Sequence, residues 1–146
     1  MSTLLKTIAL HTLLLVPAAQ PSAAQASDTT AAPASVRDGI FTTAQAERGA
    51  AVFEEVCMRC HQPEQFTGPG FIGAWSGQTV DALFEVIRTT MPEDNPSSLK
   101  KRDYAAVLAY LFSLNGIPAG ETDLPSLTRK LKQIRIESIS EIQKTP

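Results

Sequence analysis

The residues with the clearest chemistry are two cysteines and a histidine in the segment Cys57-Met58-Arg59-Cys60-His61. Two thiols separated by two residues can each form a thioether to a vinyl group of haem, and a histidine that follows directly can reach the iron from the same side. The C-x-x-C-H spacing therefore predicts one covalently bound haem c, attached at Cys57 and Cys60 and ligated through iron by His61.

Other interpretations of a C-x-x-C pair lack the residues that they need. A zinc site of this type takes a second cysteine pair or a distant histidine pair, but the chain has only two cysteines, and its other histidine is His11. A thioredoxin-like redox pair lies in a βαβ setting, whereas the apolar residues here recur at helical spacing. A disulfide would close a very short loop and would therefore stabilise little.

Residues 1–26 are typical of an export signal. Lys6 supplies a positive charge, and residues 8–16 form a short apolar run. Ala24 and Ala26 each end a segment with the A-x-A-like spacing that a signal peptidase recognises. A membrane-spanning helix needs about 20 apolar residues, and this run is shorter. We therefore predict cleavage near Ala24 or Ala26, a periplasmic location and no membrane span after cleavage.

The second iron ligand can be approached by elimination. A low-spin electron carrier usually has a further ligand on the face opposite the histidine, and no second histidine remains after signal cleavage. Of the three methionines, Met1 is removed and Met58 lies between the cysteines, on the wrong face. Met91 remains, in a segment that Pro92 keeps out of the α-helical region. We predict that Met91 is the sixth ligand; the alternatives are a methionine that fills a gap in the core and an open iron.

Length and composition predict one domain with flanking segments, because 146 residues with 43% hydrophobic content suit a single core. Residues 27–39 are small, polar and aperiodic, which predicts a flexible leader. The domain is expected at 40–120, followed by a partly helical C-terminal extension at 121–146. A formal charge of −2 without long basic runs argues against a nucleic-acid partner.

Three amphipathic helices and no convincing strand predict an all-α fold. The first begins at Thr42, which has capping-box spacing to Gln45, and it runs into Cys57. The second spans about 80–90, and the third about 100–114, with Tyr104, Val107, Leu108 and Leu111 on its apolar face. The C-terminal extension is expected to hold a short helix and then irregular structure.

Taken together, residues 43–116 resemble the class I c-type cytochromes, in which three main helices surround one haem. In that family a helix precedes C-x-x-C-H, a Gly-Pro pair follows, and a methionine ends a later helix. The resemblance implies that the Pro69 carbonyl accepts the free ring N–H of His61. More narrowly, residues 91–96 and 115–120 are similar to single-haem cytochromes associated with quinoprotein dehydrogenases.

The same resemblance implies a close crossing of the first and last helices. Gly49 and Phe53 match the small and aromatic positions at which these helices meet in the family. Their expected partners are Tyr110 and Leu111. A packing role for Gly49 would explain a glycine in a helix interior, where it otherwise costs on the order of 1 kcal/mol.

Aromatic residues are candidates for the wall of an apolar haem pocket. These are Phe66, Phe71, Trp75 and Phe84. Trp75 has two interpretations: its indole N–H could donate to a haem propionate, or the side chain could belong only to the core.

A basic cluster, Lys100-Lys101-Arg102, lies at the start of the third helix. Such a cluster could dock an acidic partner. It could equally be an ordinary solvated face, so the sequence leaves both alternatives open.

The predicted ligation limits the function. An iron that is ligated on both faces has no position for a substrate, so we predict an electron carrier rather than an enzyme. It would accept electrons from a dehydrogenase and pass them toward a terminal oxidase or another cytochrome. Two alternatives remain: a haem-bearing subunit of a quinoprotein dehydrogenase complex, and a haem sensor with an open sixth site.

Overall fold

A computed structural model describes residues 34–138 and 140, so the predicted signal peptide and the first part of the predicted leader lie outside the described residues. The elements follow in the order β1 (Ala34–Ser35), α1 (Thr43–Val52), α2 (Gly68–Trp75), α3 (Val80–Thr90), α4 (Lys101–Leu114), α5 (Thr128–Leu131) and β2 (Ile134–Arg135). Short 3₁₀ helices span Val36–Asp38 and Pro63–Phe66, and a π-helical turn, Phe53–Cys57, continues α1. The prediction of an all-α fold is confirmed, with one short parallel strand pair added. Within the described ranges, no helix is long and apolar enough to cross a membrane.

The main packing contact joins α1 to α4, as the resemblance implies. Gly49 lies so close to α4 that a Cβ atom at this position would overlap the backbone carbonyl of Ala106. One turn later, the ring of Phe53 packs against that of Tyr110, with 5.4 Å between centroids, and Leu111 belongs to the same buried cluster. The expected packing role of Gly49 is therefore confirmed.

The start of α1 follows the prediction only in part. Thr42 caps the helix, since its hydroxyl accepts from the backbone N–H of Gln45 at 3.0 Å. The reciprocal half of a capping box is absent in this described segment, because the Gln45 amide turns inward instead. It accepts from the Leu124 N–H at 2.6 Å and donates to the Leu124 carbonyl at 3.0 Å. Gln45 thus ties α1 to the C-terminal segment.

Helices α3 and α4 begin and end close to their predicted limits, but α2 was not predicted. Its first residues, Gly68-Pro69-Gly70, are poor helix formers, although proline is well tolerated in a first turn. Tertiary contacts support the start of α2: the side chain of Asn115 accepts from the Gly68 N–H at 2.9 Å and donates to the Phe66 carbonyl at 2.7 Å.

The prediction of a flexible leader is wrong for residues 34–39, and the domain begins before residue 40. Val36 is fully buried in the core, and β1 pairs in parallel with β2. Gly39 lies directly against Gly120, where an added Cβ would overlap the Gly39 carbonyl. The small, polar composition of this segment gave no sign of burial, because its strand partners lie 100 residues away along the chain.

The C-terminal segment is also part of the core rather than an extension to it. Leu124, Leu131, Ile134 and Ile136 are at most 6% exposed. The predicted short helix is present as α5, but β2 follows it where irregular structure was expected. Ile134 and Ile136 are buried, whereas Arg135, which lies between them in the sequence, is exposed. This is the alternation of a strand. This alternation explains why Ile136 breaks the helical register.

Glu85 connects α3 to α5. Its carboxylate accepts from Arg88 at 2.6 and 3.0 Å and from the Thr128 hydroxyl at 3.0 Å. The hydrogen bond from Arg88, followed by that from Thr128, lowers the pKa of Glu85 and outweighs the opposing effect of burial.

We expect Glu85→Gln to lower the melting temperature at neutral pH and to have less effect in acid. A lowered pKa in the folded state contributes stability above the unfolded pKa, and this contribution is lost as the pH falls through the folded value. Thermal unfolding of the haem protein from neutral to acidic pH measures the difference. Glu47→Gln, at an exposed position on α1, is the matched control and should show no such pH dependence. A destabilisation by Glu85→Gln that is the same at every pH would contradict the prediction.

Candidate haem-binding site

A cavity of about 750 Å³ lies between the end of α1, α3 and α4. Its volume is in the range of sites that hold organic cofactors and is far larger than a single metal ion requires. The wall is mainly apolar and includes the side chains of Phe53, Phe66, Phe71, Trp75, Ile87 and Leu111. All four predicted attachment and ligand residues line it as well: Cys57, Cys60, His61 and Met91.

A tight turn at the end of the π-helical segment positions the C-x-x-C-H residues. The Cys57 carbonyl accepts from the N–H of Cys60 at 3.1 Å and from that of His61 at 2.9 Å. The His61 ring packs edge-on against Phe66, with 5.3 Å between centroids. This backbone geometry brings both thiols and the imidazole to one cavity wall.

Burial raises the pKa of the Cys57 thiol, and the nearby positive charge of Arg59 only partly opposes this effect. The thiol therefore stays protonated near neutral pH. A thioredoxin-type cysteine has the opposite property, a lowered pKa that makes it a reactive thiolate. The raised pKa of Cys57 thus argues against a thioredoxin-type redox pair.

Met91 follows the last residue of α3 in an extended conformation, as the sequence predicts. Its N–H donates to the Ile87 carbonyl at 2.9 Å, and its carbonyl accepts from the Tyr104 hydroxyl at 2.7 Å. The structure brings Met91 to the same cavity as His61, while ligation of the iron itself stays a prediction.

Sequence reasoning missed the hydroxyl of Tyr104, which was assigned only to the apolar face of the third helix. The sequence did offer a signal for this role, because a buried tyrosine usually needs a hydrogen-bond partner for its hydroxyl.

The second missed feature is an ion pair at the cavity rim between Arg59 and Asp94, at 3.4 Å. Both side chains are more than half exposed, so the pair adds little stability.

The aromatic predictions are confirmed except at one position. Phe66, Phe71 and Trp75 line the cavity, but the prediction that Phe84 does so is wrong. Phe84 is buried in the core and packs edge-on against Tyr104, with 6.5 Å between ring centroids. On α3, Phe84 points into the core, whereas Leu83 and Ile87 also reach the cavity.

The remaining predicted contacts of the site stay predictions. Pro69 is exposed in the first turn of α2. Within the described residues, the His61 ring makes no hydrogen bond to the Pro69 carbonyl. Trp75 is half-buried at the cavity wall. Its indole N–H donates to no protein group within residues 34–138, which leaves it accessible to a propionate.

The basic cluster of Lys100, Lys101 and Arg102 is exposed at the start of α4. Arg102 pairs with the adjacent Asp103 at 3.5 Å. Leu99 precedes the cluster in the sequence and Tyr104 follows it, and both side chains line the cavity. The cluster is therefore close in sequence to residues of the haem site. Its role in docking stays a prediction.

The donor set and the cavity together fit a covalently bound haem. Two thiols, an imidazole and a thioether all line one apolar cavity, which is the combination that haem c uses for attachment and axial ligation. No three histidine, cysteine or carboxylate side chains of the described ranges form a cluster that could hold a bare metal ion.

Comparison with known proteins supports the same assignment. Residues 44–111 match a family model described as cytochrome c oxidase, cbb3-type, subunit III, and this segment contains Cys57, Cys60, His61 and Met91. No curated protein and no solved structure gave a significant match. The all-α structure is that of the class I cytochrome c fold. The match to a c-type cytochrome domain, together with the C-x-x-C-H segment within it, implies covalently bound haem c, and it supports a role in electron transfer with redox partners.

Proposed function

We propose that this protein is a periplasmic electron carrier whose single haem c is ligated by His61 and Met91. The observation that carries the proposal is the convergence of Cys57, Cys60, His61 and Met91 on one apolar cavity. Haem bound there supplies one-electron redox chemistry. Ligands from both faces would leave no position for a substrate, which supports electron transfer and argues against an enzyme.

The chain's own residues would set the properties of the centre. Cys57 and Cys60 hold the cofactor covalently, and the wall of Phe53, Phe66 and Phe71 excludes water. Exclusion of water and the identity of the axial ligands are two of the factors by which a protein sets the reduction potential. Trp75, which lines the cavity, would donate its indole N–H to a haem propionate.

The location and the direction of electron flow belong to the same proposal. Residues 1–26 have the composition of a cleaved export signal, which supports a periplasmic protein. A dehydrogenase would supply electrons, and a terminal oxidase or another cytochrome would accept them.

A second candidate is a haem-bearing subunit of a larger complex. The matched family model is described as an oxidase subunit, and this favours a subunit of an oxidase complex, which accepts electrons. Residues 91–96 and 115–120 are similar to cytochromes of quinoprotein dehydrogenases, and this similarity favours a subunit of a dehydrogenase complex, which donates electrons. Isolation of the native protein distinguishes the candidates: a carrier runs at the size of the single chain, whereas a subunit co-purifies with a dehydrogenase or an oxidase.

The ligand set is tested by Met91→Leu. We expect the oxidised protein to lose the weak far-red absorption of an iron–methionine bond. The midpoint potential should fall by at least about 100 mV, a modest part of the roughly 0.8 V over which axial ligands vary it. Absorption spectra and potentiometric titration of the purified haem protein measure both effects.

Met58→Leu is the matched control, because Met58 is 41% exposed and does not line the cavity. This variant should retain the far-red band. A band that survives in Met91→Leu would refute the proposed ligation. Rapid carbon monoxide binding by the reduced native protein would instead support a sensor with an open sixth site.

A further inference from the structure

We infer that Tyr104 is a positioning residue for Met91, whose thioether it holds toward the haem iron through a hydrogen bond to the Met91 backbone. The inference rests on the proposed ligation by Met91. It adds a second residue, on another helix, that controls how firmly the sixth position is closed.

The geometry places the Tyr104 hydroxyl at the centre of the loop between α3 and α4. The hydroxyl donates to the Met91 carbonyl at 2.7 Å and accepts from the Leu99 N–H at 3.4 Å. The hydroxyl oxygen of Tyr104 thereby contacts Met91 and Leu99, which lie near opposite ends of this loop. Because a single hydroxyl can donate and accept at the same time, one side chain can fix both.

Tyr104 is itself held rigidly. Its side chain is only 2% exposed, and its ring packs edge-on against Phe84. It lies in the first turn of α4, the helix that packs against α1. A donor with so little freedom can transmit the position of α4 to the Met91 backbone.

The other contacts of Met91 do not restrain its carbonyl. Its N–H is held by Ile87 at the end of α3, but the next residue is Pro92, which has no N–H and cannot continue the hydrogen-bond pattern. Within the described residues, Tyr104 is the only donor to the Met91 carbonyl. Among the hydrogen bonds of the described residues, this one alone holds the Met91 carbonyl in its orientation.

The test is Tyr104→Phe, which removes one oxygen atom and keeps the ring. We expect the far-red band to weaken and the midpoint potential to fall toward that of Met91→Leu. External imidazole should displace Met91 up to about tenfold more readily, because tenfold corresponds to about 1.4 kcal/mol and this is near the upper end of what one hydrogen bond contributes. Titration of the oxidised haem protein with imidazole, followed by its spectrum, measures the displacement.

Tyr110→Phe is the matched control, since it removes the same atom from the same helix. The Tyr110 ring packs on Phe53, and its hydroxyl makes no hydrogen bond within the described residues. This variant should bind imidazole as the native protein does. A merely structural role for Tyr104 would lower the melting temperature but would leave imidazole affinity and the far-red band unchanged, and that result would overturn the inference.

A second measurement avoids dependence on the stability of Tyr104→Phe. The chain contains two tyrosines, so in the Tyr110→Phe background fluorotyrosine labelling modifies Tyr104 alone. Fluorination makes the phenol a stronger donor, and imidazole should then displace Met91 less readily. Unchanged affinity would overturn the inference.

The proposed ligation by Met91 and the positioning role of Tyr104 can be disproved separately. If Met91→Leu loses the far-red band while both changes at Tyr104 leave imidazole affinity untouched, Met91 is the ligand and Tyr104 does not position it. If the band survives in Met91→Leu, both the proposed ligation and the inference built on it are wrong.

Discussion

A chain that ends at Gly120 should not fold to a stable haem protein. It would lack four core side chains, Leu124, Leu131, Ile134 and Ile136, each at most 6% exposed. Burial of a large aliphatic side chain contributes about 1.5–3 kcal/mol, so the four together contribute about 6–12 kcal/mol. That is comparable with the whole free energy of unfolding of an ordinary domain, about 5–15 kcal/mol.

The truncation would also remove partners from the N-terminal half. Gln45 would lose both of its hydrogen bonds to Leu124 while remaining buried, and a buried amide without partners costs about 1–3 kcal/mol. β1 would lose β2, its pairing partner. Residues 34–35 would then have no strand to pair with.

The yield of haem protein and its thermal unfolding test this expectation. A chain that ends at residue 140 keeps every described residue and is the control. Leu131→Ala in the full chain tests the contribution of one of these side chains. The loss of a fully buried leucine should lower the free energy of unfolding by about 2–5 kcal/mol. A chain ending at Gly120 that melts like the control would show that the C-terminal segment is dispensable.

The features that could be predicted from the sequence are those determined by neighbouring residues. The C-x-x-C-H spacing specifies an attachment site within five residues. Thr42 marks the start of α1 by its own hydroxyl, and Pro92 marks the end of α3 by excluding Met91 from the helix. Met91 could be named as a candidate ligand without the structure, because so few side chains of the chain could serve, and it lines the same cavity as His61; its ligation of the iron stays a prediction.

The features that could not be predicted depend on residues far apart in the chain. Val36 has no periodic neighbours that would mark it as buried, and its place in the core follows from the pairing of β1 with β2. α2 begins with poor helix formers, and Asn115 supports its start from the end of α4. Gln45 has the spacing of a capping box, but the distant Leu124 backbone competes for its amide.

The hydroxyl of Tyr104 shows the same limit at the candidate site. Helical periodicity places Tyr104 on a buried face, and this is correct. Periodicity describes only which face is apolar, however, and carries no information on what a buried hydroxyl binds. The partner, the Met91 carbonyl, is determined by how the loop between α3 and α4 folds back over α4.

Gly49→Ala should destabilise the protein strongly, although it improves the intrinsic helix propensity of α1. The added Cβ would overlap the backbone carbonyl of Ala106, and it would also crowd the Cβ of Tyr110 at 3.0 Å. A backbone group cannot turn aside as a flexible side chain can, so α1 and α4 must separate. We expect a loss near the upper end of the about 1–3 kcal/mol that overpacking usually costs, measured by denaturant unfolding of the haem protein.

Gly73→Ala is the matched control, because Gly73 lies inside α2 and a Cβ there would meet no atom within 4 Å. This change should be neutral or stabilising, by up to about 1 kcal/mol. Equal stability of the two variants would contradict the close crossing of α1 and α4. The effect should extend to the haem site, since the segment that follows α1, Phe53–Cys57, carries the first attachment cysteine. Separation of the helices would move Cys57 relative to the cavity wall that α4 provides through Tyr104 and Leu111.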